Sequence, residues 1–463
     1  MSDFDTILRG GTVITPDGAS QTDIGIAEGK IAALARELSG SAREEIDARH
    51  LHIFPGVIDA HVHFNEPGRA DWEGIETGSR ALAAGGGTCF FDMPLNAHPP
   101  TCDVASFDLK AAVAQNKSVT DFALWGGLVP HNLEQIERLA ERGVIGFKAF
   151  MADSGIDDFP RADHATLRKG MKRAASVGRL VAVHAESETI TQRLAQEKMT
   201  RGMTSARDYL NSRPVEAELE AIRNAIDTAG DVGCKLHVVH VSCAEGVALI
   251  TDAKKRGADV SCETCPHYLI LTENDTLKLG AVAKCAPPLR SPRERDALWE
   301  RVLAGEVATI GSDHSPSPPE MKQNTNFFKV WGGISGVQHL LPLLIGAPES
   351  IEHFGGCAGE TPALPGKALA LIAELTSFNV AQRFGLPKTK GRIAAGADAD
   401  FALIDFREKY SVRAEDLFYR HKQSPYVGRT LTGRVVQTIL RGQTIFKHDQ
   451  IVSQRRGQLI KPV

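Results

Sequence analysis

From Phe54 onward, short apolar runs alternate with longer segments of helical periodicity. The helical segments include WEGIETGSRALAAG, NLEQIERLAERG, PVEAELEAIRNAIDTA and AEGVALITDAKKRG. The apolar runs, which we interpret as strands, are FPGVIDAHV, GTCFFDMP, DFALWGGL, VIGFKAF, RLVAVHA, KLHVVHVS, ADVSCETC and VATIGSD. Eight strands, most followed by a helix, predict an α/β fold of the (β/α)8 TIM-barrel type. An open, doubly wound sheet is the alternative, but polar residues at the ends of many different strands favour the barrel.

Both ends of the chain have a different character. They contain short segments typical of strands joined by glycine-containing turns: DTILRGGTVITPDG, DIGIAEGKIAAL, GRIAAGADADFALID and TGRVVQTILRGQTIF. Helical segments continue to about Phe384. We therefore predict a barrel domain of residues 54–385, and a small composite β domain made from residues 1–53 and 386–463.

Composition excludes several classes of protein. The chain has 463 residues, a net charge of −4 and 42% hydrophobic residues, which is ample for a large core but offers no basic patch for nucleic acid. We find neither a signal-peptide core at the start nor an apolar run long enough to cross a membrane. Eight scattered cysteines fit a reducing cytoplasm. Cys262 and Cys265 form a CxxC without a second pair, so we expect ordinary packing and no zinc ribbon.

The first barrel strand ends in DAHVH. His61 and His63 are two residues apart, so in a strand both imidazoles point to one face and could share a metal ion. The alternative is two polar residues at a strand end that bond the backbone.

Other metal-ligand types close later strands, namely His184, His240 and Asp313. Five such residues at the ends of different strands converge on one point if the barrel is correct. His237 is an alternative to His240 as the metal ligand from this strand. Residues three apart in a strand point to opposite faces, so only one of the two side chains enters the barrel. We choose His240, which lies nearer the carboxyl end.

Lys148 lies inside the apolar run GVIGFKAFM. Its ammonium either reaches the surface, pairs with a carboxylate, or lies beside the metal ligands. In the last case, burial and nearby positive charge lower the pKa of the amine. A neutral amine can react with carbon dioxide to give a carbamate, an anionic ligand with two oxygens.

These motifs together resemble the cyclic amidohydrolases of the amidohydrolase superfamily, over nearly the whole chain. The resemblance is carried by PGVIDAHVHFNEPG, GGGTCFFDMPLNAHPPT, GVIGFKAFM, HVVHVS, ETCPHYL, KCAPPLR, GSDHSP, GRIAAGADADFALID and HKQSPYVGRTLTGRV. It implies a distorted TIM barrel with a β-sandwich formed by both termini. It also implies a small-molecule substrate, a cytoplasmic enzyme, and a homodimer or homotetramer.

The resemblance further implies a binuclear metal centre. His61 and His63 match the ligands of a buried metal ion, and His184 and His240 match those of an exposed one. Lys148 matches the bridging lysine, carboxylated on its amine by carbon dioxide, and Asp313 matches the aspartate that is both ligand and catalytic proton shuttle. Such ligands suit zinc, and also iron, cobalt, manganese or nickel.

Within the family, DMPLNAHPP, HFNEPGRADWEG and FFKVWGGISGVQHLLP most resemble the allantoinases. These proteins open the hydantoin ring of allantoin to give allantoate in purine catabolism. Dihydroorotases carry an arginine in the motif HxHxR and an asparagine after DMP, where this chain has Asn65 and Leu95. Without that arginine the site lacks a clamp for a substrate carboxylate, and allantoin has none. Hydantoinase and dihydropyrimidinase activities remain alternatives because their substrates are also neutral rings.

Substrate contacts are expected from loops at the strand ends: the backbone near Ala286 and Gly332, and the side chains of Asn96 and Ser315. Asn96 and Ser315 have turn-forming alternatives. A rival of another class is a non-catalytic scaffold related to the hydantoinases, which would have lost metal ligands. All six ligand positions are occupied by competent residue types, which favours the enzyme.

Overall fold

The computed structural model describes residues 2–355, 364–452 and 457–463. The strands are β1 Phe4–Thr15, β2 Gly18–Ala27, β3 Lys30–Ala35, β4 Ala42–Asp47, β5 His52–Pro55, β6 Val57–Val62, β7 Gly87–Asp92, β8 Asp121–Leu124, β9 Gly126–Gly127, β10 Phe147–Phe150, β11 Val181–His184, β12 Leu236–Val238, β13 Val260–Thr264, β14 Thr309–Ile310, β15 Phe401–Ser411, β16 Thr430–Leu440, β17 Gln443–Lys447 and β18 Gln450–Ile451.

The helices are α1 Ile75–Ala84, α2 Val104–Lys117, α3 Ile136–Arg142, α4 His164–Ser176, α5 Glu188–Thr200, α6 Ala206–Asn211, α7 Val215–Val232, α8 Ala244–Lys255, α9 Pro266–Ile270, α10 Glu273–Leu279, α11 Pro292–Leu303, α12 Leu340–Gly346, α13 Pro348–His353, α14 Gly366–Ala373 and α15 Asn379–Arg383. Among the residues described, none of these helices has the length and apolar character needed to cross a membrane.

Parallel strands occupy the middle of the chain. One sheet has the order β6-β7-β8, and a second has the order β14-β13-β12-β11-β10-β9. Only Trp125 separates β8 from β9, and beyond β14 His314 forms a parallel bridge with Val62. Each of the eight predicted strand segments contains an observed strand. The predicted α/β fold with parallel strands is therefore confirmed.

Local sequence explains these elements. Every residue of β6 and β7 is buried, as expected for parallel strands covered on both faces. Helix α7 buries Ala217, Ala221 and Ala225 at a spacing of four residues, which makes one apolar stripe. Ser291 caps the start of helix α11, where its hydroxyl accepts a hydrogen bond from the backbone N–H of Glu294 in a capping box.

Both chain ends meet in one nine-stranded sheet. Its order is β18-β17-β16-β15-β5-β1-β2-β3, with β4 paired to β1. Strand β5 lies between β1 and β15, so a strand from the start of the chain joins one from its end. The sheet contacts the parallel strands through Lys390, whose ammonium lies 2.6 Å from Asp121 at the start of β8 and 2.8 Å from Asp400. These ions lie at the amino end of β8, where charged groups serve stability and leave the carboxyl ends free for chemistry.

Candidate metal centre and substrate cavity

The six predicted ligands lie at or just beyond the carboxyl ends of different parallel strands. Lys148 and His184 belong to β10 and β11, and the other four belong to or follow β6, β12 and β14: His61, His63, His240 and Asp313. Five of the six, all except Lys148, line one cavity of about 380 Å³. The strand ends therefore bring together residues that are up to 252 positions apart, from His61 to Asp313.

His61, His63 and Asp313 form one group whose potential ligand atoms all lie within 4.8 Å of one another. The Nε2 atoms of His61 and His63 lie 3.3 and 3.5 Å from the same carboxylate oxygen of Asp313. Two imidazoles and a carboxylate at this spacing are suited to hold one divalent ion.

His184 and His240 form a second pair beside the first. The Nδ1 atom of His184 lies 3.1 Å from Nε2 of His240, and the ring centroids of His240 and His61 are 5.4 Å apart. The other nitrogen of His184, Nε2, lies 2.9 Å from the carboxylate of Glu186, which is itself paired with Arg213.

Lys148 is completely buried, so its ammonium does not reach the surface. Within the part of the chain that the structure describes, its Nζ atom has no hydrogen-bond partner. Burial lowers the pKa of Lys148 to about 7, although Asp313 and Glu263 act in the opposite direction. A large share of the amine is therefore neutral near neutral pH, the form that reacts with carbon dioxide.

Burial also determines the protonation of the other groups. It lowers the pKa values of His61 and His240 well below the ordinary value, so both imidazoles are neutral and able to bind a metal ion. Burial alone would raise the pKa of Asp313, but His61, His63 and His240 lower it well below its usual range. His61, His240 and Asp313 therefore offer two neutral imidazoles and an ionised carboxylate, donor types that divalent metal ions prefer.

His237 does not join this centre. It lies within β12, and one ring nitrogen is 2.7 Å from the hydroxyl of Ser261 on the neighbouring strand. His240 lies two residues beyond the strand, and it is one of the residues that line the cavity.

Three residues that line the cavity, and Asn65 close to them, have a left-handed backbone conformation. Asn65, Asn96, His240 and Asp313 have φ angles of 63°, 66°, 42° and 44°. Non-glycine residues seldom adopt this left-handed region, and where they do, the site is often functional. The alternation of side chains along a strand does not determine the direction of His240 or Asp313, because both residues lie beyond the ends of β12 and β14.

The four predicted substrate contacts all line the same cavity: Asn96, Ala286, Ser315 and Gly332. The backbone carbonyl of Asn96 accepts from Arg69 at 2.9 Å, so its loop is anchored from outside the cavity. The backbone N–H of Ser315 donates to Ile334 at 2.9 Å, which joins two loops of the cavity wall.

Two buried carboxylates beside the ligands were not predicted from the sequence. Oε1 of Glu263 lies 2.7 Å from Nδ1 of His61, and Glu186 lies beside His184. Such partners fix the tautomer of a ligating histidine and orient its ring. Glu263 had one usable signal, since an acidic residue inside the otherwise uncharged strand VSCET has to be buried with a partner.

The CxxC cysteines behave as expected. Cys262 and Cys265 are both buried and free of disulfide bonds, and burial raises the pKa of each thiol. They contribute to the main apolar core.

Comparisons with known proteins agree with this geometry. The sequence profile of the amidohydrolase family matches residues 52–445. The chain is 54% identical to an allantoinase of Rubrobacter xylanophilus, over all of this chain and 98% of that protein. It is 49% identical to an allantoinase of Deinococcus radiodurans, over 99% of both chains. Among solved structures, the L-hydantoinase (dihydropyrimidinase) of Arthrobacter aurescens superposes with a TM-score of 0.93 at 33% identity, over 99% of this chain and 100% of that one.

Proposed function

Because this chain belongs to the amidohydrolase family, we propose that it is an allantoinase, which hydrolyses the cyclic amide of the hydantoin ring of allantoin to allantoate. The observation that carries this proposal is the 54% identity to an allantoinase along the entire chain. The chain is a hydrolase that acts on carbon–nitrogen bonds of cyclic amides. The substrate assignment agrees with Asn65 and Leu95, since Asn65 stands where the dihydroorotases carry the arginine that holds a substrate carboxylate.

Members of this family depend on metal ions, and the residues of this cavity fit a binuclear centre. His61 and His63 would hold one ion, His184 and His240 the other, and Asp313 would complete the set. Carboxylated Lys148 would bridge both ions: its nitrogen bonds the carbon of carbon dioxide and releases a proton. The unpartnered Nζ and the neutral imidazoles support this assignment. Two divalent ions, for which zinc is our choice, would supply Lewis acidity that polarises a carbonyl and acidifies water.

The protein's own groups move the proton. Asp313 is ionised, so its carboxylate is able to accept a proton from the attacking water. It then returns that proton to the ring nitrogen that leaves when the amide carbon–nitrogen bond breaks. Glu263 orients the His61 ring, with Nδ1 bonded to Glu263 and Nε2 toward Asp313. The backbone near Ala286 and Gly332 contacts the substrate, with Asn96 and Ser315 beside it.

We also propose a domain organisation for this enzyme. The parallel strands close into one distorted barrel of residues 54–385, a view supported by the bridge between Val62 and His314 and by the proximity of β8 and β9. We infer that the nine-stranded sheet folds over on itself as a β-sandwich of residues 1–53 and 386–463, since buried side chains from both termini share one apolar cluster, among them Ile26, Phe401 and Ile439. The seven free cysteines of the described residues support a cytoplasmic location, and we expect a homodimer or homotetramer.

A turnover assay with allantoin, hydantoin, dihydrouracil and dihydroorotate, run side by side on the metal-loaded enzyme, tests this function. We expect the highest kcat/KM with allantoin and almost none with dihydroorotate. The second candidate is a hydantoinase or dihydropyrimidinase, which the TM-score of 0.93 favours. Fastest turnover of hydantoin or dihydrouracil would establish that alternative and exclude ours.

A further inference from the structure

One wall of the substrate cavity has almost no regular structure of its own. It is formed by residues 327–333, all of which except Phe327 line the cavity. Its only regular element is a single 3-10 turn, Phe327–Lys329. We call residues 327–333 the cavity wall. Its conformation has to be set by bonds from other parts of the chain.

Lys284 supplies four of these bonds. Its buried side-chain nitrogen donates to the carbonyls of Phe327 at 2.7 Å, Phe328 at 3.4 Å and Val330. Its own backbone carbonyl accepts from the N–H of Gly333 at 2.7 Å. Lys284 stands two residues before Ala286, so it joins two segments to which we assign substrate contacts.

Lys322 holds the remaining part of the wall from the other side. Its ammonium donates to the carbonyl of Trp331 at 2.9 Å and to the carbonyl of Gly333 at 2.8 Å. The backbone of Met321 accepts from the N–H of Trp331 at 3.0 Å. The residues on both sides of Gly332, Trp331 and Gly333, therefore have carbonyls that accept hydrogen bonds from Lys322.

These two cations are unusual in having carbonyls as partners. Across residues 2–355, 364–452 and 457–463, neither lysine forms an ion pair with a carboxylate. Lys284 has Tyr209 beneath it, with Nζ 4.4 Å from the ring centroid, and the hydroxyl of Tyr209 donates to the carbonyl of Cys285 at 3.0 Å. A buried ammonium without a carboxylate costs stability, so this arrangement serves some other purpose.

The wall also lies tightly against Ser315. A methyl group at Gly333 would lie 2.1 Å from the carbonyl oxygen of Ser315, so only glycine fits there. A small shift of the wall would therefore change the space beside Ser315 and Gly332 together. Trp331, which lines this space, has an indole N–H without a partner in the described chain.

We propose that Lys284 and Lys322 are positioning residues, which hold the cavity wall where it binds the open-chain ureido arm that distinguishes allantoin from hydantoin. This inference rests on the proposed function. Hydantoin lacks the arm, so its turnover depends less on the wall. The two lysines thus support substrate selectivity and take no part in bond breaking.

The test uses the metal-loaded full chain with Lys284→Met and Lys322→Met, and Lys322→Arg as the conservative variant. For both Met variants we expect kcat/KM for allantoin to fall by about tenfold or more, because each loses the hydrogen bonds from its lysine nitrogen to at least two carbonyls. The loss should be mainly in KM, while kcat/KM for hydantoin changes less than threefold, a limit that is about 0.6 kcal/mol. Lys322→Arg should recover most of the selectivity. Lys278→Met, at an exposed lysine of α10, is the matched control and should leave both substrates unaffected.

An equal loss with both substrates, or no loss with either, would overturn the inference, and so would a loss confined to kcat. If Lys284→Met does not fold, Lys322→Met decides the question, since Lys322 is only half-buried. The proposed function fails separately, if the unaltered enzyme turns over hydantoin faster than allantoin.

Discussion

The Nδ1 atom of His61 lies 2.7 Å from Oε1 of Glu263, and both side chains are completely buried. The two residues are 202 positions apart in the chain and come from strands β6 and β13. The bond directs the other nitrogen of His61 toward Asp313. Glu263 therefore orients a proposed metal ligand without belonging to the proposed ligand set.

Substitution of Glu263 by Gln should weaken metal binding by about 10- to 100-fold, because an amide holds the His61 ring less firmly than a carboxylate. Competition with a chromophoric chelator measures the affinity, and activity at saturating metal shows what remains of catalysis. Glu245→Gln, at an exposed position of α8, is the matched control. Unchanged affinity in Glu263→Gln would mean that the carboxylate does not orient His61.

Gly311→Ala should disturb the contact between His61 and Glu263, because Gly311 packs against both side chains. The added methyl would lie 2.7 Å from Oε2 of Glu263 and 3.1 Å from Cβ of His61. We expect a loss of about 1–3 kcal/mol in stability and weaker metal binding, because the buried groups have to move. Gly230→Ala in α7 is the control, since its methyl meets nothing within 4 Å and should stabilise the helix slightly. Full metal affinity in Gly311→Ala would contradict this packing argument.

Several features of the fold and of the candidate site were predictable from the sequence. The eight strand segments were predicted correctly because buried parallel strands have continuous apolar runs. The side-by-side placement of His61 and His63 follows from the two-residue period of a strand. The family and the allantoinase activity were recognised from motifs such as DMPLN and GSDHSP, and the comparisons confirm both. The ligand roles stay predictions.

The unpredicted parts share one physical cause. Glu263 is bonded to a residue 202 positions away, and Lys284 to one 43 positions away. Neither contact leaves a periodic trace, because it involves a single residue on each side. A lone Glu in a strand or a lone Lys in a loop usually lies in solvent, so only the folded chain distinguishes these two.

Lys148→Ala should remove most metal-dependent activity, because the proposed bridging carbamate could not form. Short carboxylic acids should restore part of it by filling the space that the buried side chain leaves. Metal content and turnover, measured together with and without added acid, check the prediction. A variant that keeps full activity and full metal content would exclude the bridging role.

The buried side chain of Lys284 should make the stability of the protein depend on pH. Burial, and then the charges of Arg213 and Lys322, lower the pKa of Lys284 to about 7, from 10.5 when it is exposed. Above about pH 7 the unfolded chain therefore binds a proton that the folded chain does not, so the folded state gains stability as pH rises toward 10.5. Lys284→Met lacks this group. The free energy of unfolding of the unaltered enzyme, minus that of the variant, should thus rise by at most about 1.4 kcal/mol per pH unit. Denaturant unfolding of both proteins at several pH values measures it, and a difference that stays flat would show that Lys284 is not a buried cation.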